Sequence, residues 1–294
     1  MKILITADLH LNIPARSPRT GLTNFEAFLR SVASESPDAV VVAGDIGTPE
    51  RSPEYLSYLR KVVGERPLAF CLGNHDHWLP PSRHSPILRL SQIRDTIWEP
   101  SADAIGAVLL DLENAYWDGV TICGGYGHFD LGLVAPGLRI DGETITRRHY
   151  LSGGLGGRFW NDFAFIPHCA SRLDAHAREQ AAGIGKRLSS ASASAGALIV
   201  VTHTCPWREL NAHPLRGGGE DLFTAYSGNS LVGDAIARRA EKIDLLVCGH
   251  THMPVREQKL HGVRSLNVGT DYGIFRGVVY DTGEKTVRWI GEPF

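Results

Sequence analysis

An α/β fold is predicted by three features of the sequence. Short runs rich in Val, Ile and Leu recur along its 294 residues, stretches of helical periodicity separate the first of them, and most runs break off near Gly, Asp, Asn or His. The opening run, "KILITA" at 2–7, reads as a buried strand. Residues 23–35 follow, where Phe25, Phe28, Leu29 and Val32 recur at spacings of three and four and give a helix one apolar face. "DAVVVAGD" and "RPLAFCLGN" repeat the strand pattern on either side of a second helical stretch at 53–65, and "AVLLDLE" and "GVTICGG" continue the series. From about 139 to 196 the pattern changes to a Gly-rich "SGGLGG", a helix around 171–188 and the Ser/Ala-rich "SSASASAGA". Residues 126–193 therefore read as an insertion or cap on one domain spanning 1–294. Two further buried runs, "GALIVVTH" and "IDLLVCGH", precede alternating segments broken by Gly and by Asp-Thr-Gly, among them "RGVVYD", which predict antiparallel strands and hairpins.

Bulk composition narrows the function classes. With 43% hydrophobic residues the chain can build a substantial core, and 30 basic against 32 acidic residues give no global electrostatic case for nucleic acid or an anionic membrane. The five cysteines, Cys71, Cys123, Cys169, Cys205 and Cys248, are widely spaced and include no CxxC, so neither a disulfide framework nor a cysteine zinc site is expected. Cys205 reads as a buried thiol. Asp8 and His10 interrupt the first apolar run before a signal-peptide core forms, and no later segment approaches a membrane span, so a soluble protein of the reducing cytoplasm is expected.

Chemistry-bearing residues gather at the ends of the apolar runs. Asp8 and His10 follow "KILIT", Asp45 follows "VVVAG", Asn74, His75 and Asp76 follow "AFCLG", His203 follows "IVVT", and His250 and His252 follow "LLVCG". Alternate residues of an extended backbone share a side, which lets Asp8 and His10 face one target. Ligands collect at the C-terminal ends of strands in α/β sheets, and carboxylate, imidazole and carboxamide groups all bind hard or borderline metal ions. Any single fragment has a plainer reading as a cap or turn. Five in order at strand ends point to a metal centre.

In that order, "DLH", "GD", "GNHD", "TH" and "GHTH" resemble the five motifs of the calcineurin-like metallophosphoesterases, over residues 1 to about 268. "TICGGYGHFD", "WNDFAFI" and "DLFTAYSGNSL" are similar to segments of a bacterial phosphodiesterase and phosphohydrolase branch. The resemblance implies a four-layer α/β/β/α sandwich, two mixed sheets flanked by helices, with two divalent or trivalent metal ions (Mn, Fe or Zn) where the strands end. It implies that Asp8, His10, Asp45 and His252 hold one ion, that Asp45, Asn74, His203 and His250 hold the other, and that Asp45 bridges. Two such ions clamp phosphate oxygens and lower the pKa of a bound water, supplying hydroxide for in-line attack on phosphorus. His75 matches a histidine that faces the scissile phosphate and assists the leaving group, as an imidazolium stabilising charge or donating a proton. Asp76 either orients His75 and raises its pKa or serves as a turn residue. The fourth motif reads "THTCP", with Thr204 where many relatives carry a second histidine, a departure that bears on substrate contacts or on the groups behind the ligands.

The implied activity is hydrolysis of a phosphate ester, a diester in preference to a monoester, with a cyclic nucleotide or other small phosphodiester as candidate substrate. "ITADLHL" is also similar to the opening of recombination-repair nucleases, which keeps a DNA nuclease as an alternative, against which stand the balanced charge and the lack of a basic, aromatic track. A noncatalytic scaffold is the remaining alternative, and the presence of all seven ligands with His75 speaks against it. Phe159, Trp160, Phe163 and Phe165 either wall a pocket or anchor the insertion as a satellite cluster, and Arg147, Arg148 and Arg158 either touch a substrate phosphate or lie solvated.

Overall fold

A computed structural model describes residues 1–13, 24–84, 86–87, 89–140, 142–191 and 196–291. Twelve strands build its two large sheets. In chain order they are β1 (Lys2–Thr6), β2 (Ala39–Ala43), β3 (Leu68–Cys71), β4 (Val108–Leu109), β5 (Ala115–Trp117), β6 (Val120–Gly125), β7 (Ala197–Thr202), β8 (Leu245–Cys248), β9 (Val255–Leu260), β10 (Val263–Asn267), β11 (Arg276–Asp281) and β12 (Thr286–Gly291). The first sheet has the order β12-β11-β1-β2-β3-β4 and the second β9-β10-β8-β7-β6-β5. Both are mixed. β1 to β4 run parallel and β11 joins β1 antiparallel, whereas β6, β7, β8 and β10 run parallel between two antiparallel edge strands.

Strand periodicity explains why the apolar runs are continuous rather than alternating. Ile3, Ile5, Val41, Ala69, Ile122, Ile199, Val201, Leu245 and Val247 point into one cluster between the sheets. Their neighbours Leu4, Val40, Val42 and Phe70 face outward beneath helices α1 (Asn24–Val32) and α2 (Ser52–Val63). Leu198, Val200 and Leu246 face the opposite way, beneath α3 (Cys169–Ala191) and α4 (Ser230–Ala237). Strands buried on both faces need apolar residues at every position. The layers are therefore α/β/β/α, as the sequence led one to expect. Helix α2 carries its own start and stop: Pro53 and Glu54 stand in the first turn, Arg60 and Lys61 in the last, and Gly64 at φ 72° ends it with an N–H to the Arg60 carbonyl.

The segment read as one insertion divides in two. Helix α3 packs Ala181, Ile184 and Leu188 on the outer face of the second sheet and connects β6 to its parallel neighbour β7. Parallel neighbours require such a crossover, so α3 belongs to the sandwich. What remains up to about residue 168 is two short hairpins, Arg139–Ile140 with Glu143–Thr144 and Gly154–Leu155 with Arg158–Phe159, and the short helices Arg147–Leu151 and Asp162–Phe165. Residue 23, the Phe25 side chain, residue 141 and the Ser/Ala run at 192–195 lie outside the described residues. No described helix is long and apolar enough to cross a membrane.

Candidate metal centre

The expected ligands all stand just past the C-terminal ends of β1, β2, β3, β7 and β8, and the fold brings them together. Asp8, His10, Asp45 and His252 each offer an atom within 4.8 Å of the others, as do Asp45, His203 and His250. The backbone route differs from the pleat alternation that the "DLH" spacing suggests. Asp8, His10, Asp45, His250 and His252 have φ values of 55°, 42°, 54°, 72° and 58°. Left-handed backbone is uncommon for residues with a Cβ and persists only where the surroundings hold it. Here the Asp8 and His10 N–H groups donate to the carbonyls of Gly44 (3.0 Å) and Asp45 (2.9 Å), and the His250 N–H donates to the Asp8 carboxylate at 3.1 Å.

Glycine precedes Asp45 and Asn74 because nothing larger fits. A Cβ on Gly44, itself at φ 81°, would lie 2.5 Å from His203 Nδ1, and one on Gly73 would lie 2.1 Å from Asp45 Oδ1. Close approach of backbone to ligand side chains is the physical content of the "GD" and "GNHD" motifs.

Hydrogen bonds behind the ligands decide which atoms face inward. His203 Nδ1 is 2.9 Å from the Ala43 carbonyl, so it carries the proton and leaves a lone pair on Nε2. His250 Nε2 likewise donates to the Tyr226 carbonyl at 3.0 Å, leaving the lone pair on Nδ1. Asn74 Nδ2 donates to Asp162 Oδ1 at 2.9 Å, which turns the amide oxygen the other way. Three acceptors therefore converge: Asn74 Oδ1 stands 3.0 Å from both His203 Nε2 and His250 Nδ1, which are 3.1 Å apart. Beside them Asp45 Oδ1 is 3.4 Å from His203 Nε2. Acceptors crowded in this way repel unless a cation lies among them. The donor set fits a metal ion.

The neighbouring group follows the same logic. His252 Nδ1 meets Asp271 Oδ1 at 3.2 Å, so its Nε2 faces His10 Nε2 at 3.3 Å and Asp8 Oδ1 at 3.8 Å. His10 Nε2 is 3.7 Å from Asp45 Oδ2, which leaves Asp45 with one oxygen toward each group. Burial pushes the Asp8 carboxyl up to about 7 and Asp45 well above the carboxylate range, Asp45 further because Asp76 and Asp8 stand near. Burial holds His10 and His203 well below the usual imidazole range and His250 down at about 4. For His252 burial also acts downward, but the Asp271 hydrogen bond and the Asp8 charge outweigh it and its pKa rises.

His75 lies against this cluster, its Nε2 3.9 Å from Asp45 Oδ2, with its ring stacked on Trp78 at a centroid distance of 3.6 Å. Burial, then His203, His252 and His250, hold it well below the imidazole range, so it is neutral. Of the two readings of Asp76, orienting His75 or serving the turn, its hydrogen bonds fit the second: it accepts the Gly47 N–H at 2.9 Å and the Gly73 N–H at 2.7 Å, while His75 Nδ1 has no hydrogen-bond partner among the described residues. Its buried carboxyl, pushed up to about 7 by desolvation, clips the loops bearing Asp45 and Asn74 together. That is the turn role.

A cavity of about 640 Å³ opens over the cluster, lined by Asp45, Asn74, His75, His250 and His252 and walled by Trp78, Phe159, Trp160, Phe223 and Tyr272. Phe159 and Trp160 thus line it, whereas Phe163 and Phe165 pack within the aromatic cluster around Tyr226 and Trp78. Arg158 reaches the cavity but pairs with Glu220 at 2.6 Å, and Arg147 pairs with Asp174 away from it. Thr204 is buried and donates to the Gly127 carbonyl, behind the ligands rather than in the cavity. Asp162, Asp271 and the Tyr226 carbonyl were not singled out by sequence reasoning. The "WND" of the inserted segment is the one local hint to Asp162.

The calcineurin-like phosphoesterase family model matches residues 1–254. No curated protein matches the chain. Among solved structures, a protein from Thermus thermophilus is similar with a TM-score of 0.53 and 13% identity, over 99% of this chain and 98% of that one. A dimetal phosphatase from Danio rerio is similar with a TM-score of 0.54 and 12% identity, over 100% of this chain and 99% of that one. At these identities the likeness is one of fold. With the family motifs at the strand ends and the family model covering most of its length, the chain belongs to the calcineurin-like phosphoesterases and is a metal-dependent phosphoric ester hydrolase.

Proposed function

We propose that the chain is a phosphodiesterase with a dinuclear metal centre. The convergence of Asn74 Oδ1, His203 Nε2 and His250 Nδ1, three acceptors with no donor among them, carries the reading. Asp8, His10, Asp45 and His252 would hold one ion, Asp45, Asn74, His203 and His250 the other, with Asp45 shared. Bound ions of this kind polarise phosphoryl oxygens and acidify water. The remaining chemistry belongs to the chain. His75, neutral and seated on Trp78, donates a hydrogen bond to charge developing on the leaving oxygen. A neutral imidazole suits this role better than the imidazolium expected from sequence, because a cationic ring beside two metal ions is disfavoured.

Support for a diester comes from the cavity wall. Its arginines, Arg158 and Arg216, are balanced by Glu220 and Asp221, and beside them stand five aromatic side chains, Trp78, Phe159, Trp160, Phe223 and Tyr272, among neutral polar ones such as Asn161, Asn211 and Thr251. Such a wall accommodates the organic groups and single charge of a diester better than the dianion of a monoester. The test is turnover of bis(p-nitrophenyl) phosphate and p-nitrophenyl phosphate by chelator-stripped protein, before and after adding manganese or zinc. Metal-restored diester hydrolysis exceeding monoester hydrolysis, and lost in His75→Ala, is expected. Equal or greater monoester turnover would overturn the diester assignment, and two bound ions without turnover would overturn the catalytic one.

A further inference from the structure

We propose that Asp162 is the positioning residue through which the inserted segment sets the Asn74 amide and the seat of His75. The inference rests on the metal-centre reading and adds a residue to it. Asp162 is fully buried at the start of the short helix Asp162–Phe165, and its carboxylate accepts three N–H groups. Oδ1 takes Asn74 Nδ2 at 2.9 Å and Trp78 Nε1 at 2.7 Å, and Oδ2 takes Trp160 Nε1 at 2.8 Å. Each donor serves a different part of the site. Asn74 is a proposed ligand, Trp78 is the face on which His75 stacks, and Trp160 lines the cavity with its ring 5.9 Å from that of His250.

The consequence for Asn74 follows from the near-equivalence of the two ends of an amide. Turned over, Asn74 would donate its NH₂ to the lone pairs of His203 Nε2 and His250 Nδ1, a comfortable arrangement without metal and one that closes the site. What opposes the flip is a carboxylate on the other side, which can only accept and would then face the amide oxygen. Asp162 thus keeps Asn74 presenting oxygen to the cluster. Replacing it by asparagine removes the charge and, with Nδ2 toward residue 74, supplies a donor to the flipped amide at the expense of the bond from Trp78 Nε1.

Calorimetric titration of chelator-stripped protein with manganese tests this, comparing wild type, Asp162→Asn, Asn74→Asp and the double variant, with far-UV circular dichroism as the folding control. Wild type is expected to take up two ions. Asp162→Asn should keep one at wild-type affinity and bind the other about 10- to 100-fold more weakly, the usual effect of losing the group behind a ligand. Asn74→Asp in that background should restore the second ion, because a carboxylate presents oxygen in either orientation and cannot donate to the histidines. A residue that merely held the fold would give no such rescue. Asn74→Asp alone sets two carboxylates face to face and should melt below the double variant, which keeps the contact testable even if Asp162→Asn does not fold. Undiminished affinity in Asp162→Asn, or a double variant as weak as the single, would overturn the assignment of Asp162 while leaving the metal centre standing. Wild-type protein that takes up no metal would overturn the metal-centre reading itself.

Discussion

Gly73→Ala is the sharpest perturbation of the site that leaves every polar side chain in place. The added methyl would stand 2.1 Å from Asp45 Oδ1, 2.6 Å from the Asp45 backbone nitrogen and 2.8 Å from His203 Cε1. None of these is the free end of a flexible chain. Asp45 Oδ1 accepts the His75 N–H at 2.9 Å, and His203 is pinned by its bond to the Ala43 carbonyl. Relief requires the Asp45 carboxylate to turn away or the 73–75 backbone to shift by about 1.3 Å, the gap between 2.1 Å and the 3.4 Å of an ordinary contact. Overpacking of this kind costs about 1–3 kcal/mol, and the lost bond to a buried carboxylate about 1.5–3 kcal/mol more, so about 2.5–6 kcal/mol in all is expected. That is a large part of a typical domain's stability. Because Asp45 is the residue common to both ligand groups, uptake of both ions should weaken together. Urea denaturation of the metal-free protein reads the first effect and titration calorimetry the second. A variant within about 1 kcal/mol of wild type, binding two ions with unchanged affinity, would show that Gly73 does not hold Asp45 in place, and the close-approach reading of the "GNHD" glycine would fail.

Metal uptake should release protons at pH 6, from Asp8 (about 7), from Asp45 (raised) and from His252 (raised), whereas His250, down at about 4, and the lowered His203 have none to give. Titration heats at pH 6 should therefore differ between buffers of unlike ionisation enthalpy, and the difference should shrink at pH 8, where Asp8 is already ionised; heats independent of buffer at pH 6 would contradict the assignment. Asp271→Asn removes the anion that holds the His252 proton, so the His252 pKa in the metal-free chain should drop, as followed by NMR titration, and an unchanged value would exclude Asp271 as its cause. Trp78→Leu strips the ring beneath His75, an aromatic contact of about 0.5–1.5 kcal/mol, and should lower kcat about 2- to 10-fold with two ions still bound, while Trp78→Phe should lower it less. Equal losses in the two variants would shift the role of Trp78 from the stack to its bond with Asp162.

How much of this was legible in the sequence depends on distance along the chain. Continuous apolar runs revealed the strands because both faces of each sheet are covered, and the proposed ligands were visible because each follows its strand within a few residues. Glycines at 44 and 73 belong to the same local grammar. Asp162 and Asp271 do not. Asp162 meets Asn74 across 88 residues and Asp271 meets His252 across 19, from segments with no period and no repeated motif, so only the folded chain shows their partners. Helix α3 was placed in the insertion for a related reason. Its sequence announces a helix, but its place over the second sheet follows from β6 and β7 being parallel neighbours, a property of the pairing rather than of either strand.

The "DLH" spacing shows how two residues can be brought together by a geometry other than the one their spacing suggests. Alternation along a pleat would bring Asp8 and His10 to one side, yet β1 ends at Thr6 and both residues are left-handed. Left-handed backbone at a non-glycine residue costs of the order of 1 kcal/mol or more, and five of the proposed ligands adopt it. The cost is met by contacts between strands: Asp8 and His10 hang from the carbonyls of Gly44 and Asp45, and the His250 N–H is held by Asp8 itself. Three of these five backbones are thereby held by a neighbouring loop of the centre. It follows that the loops should loosen as a unit, so that hydrogen exchange in metal-free protein should give the amides of Asp8, His10 and His250 a common opening free energy that metal raises for all three. Separate openings, with metal protecting one amide and not the others, would mean that the left-handed residues are held individually and that the order of the centre comes from the ions rather than from the fold.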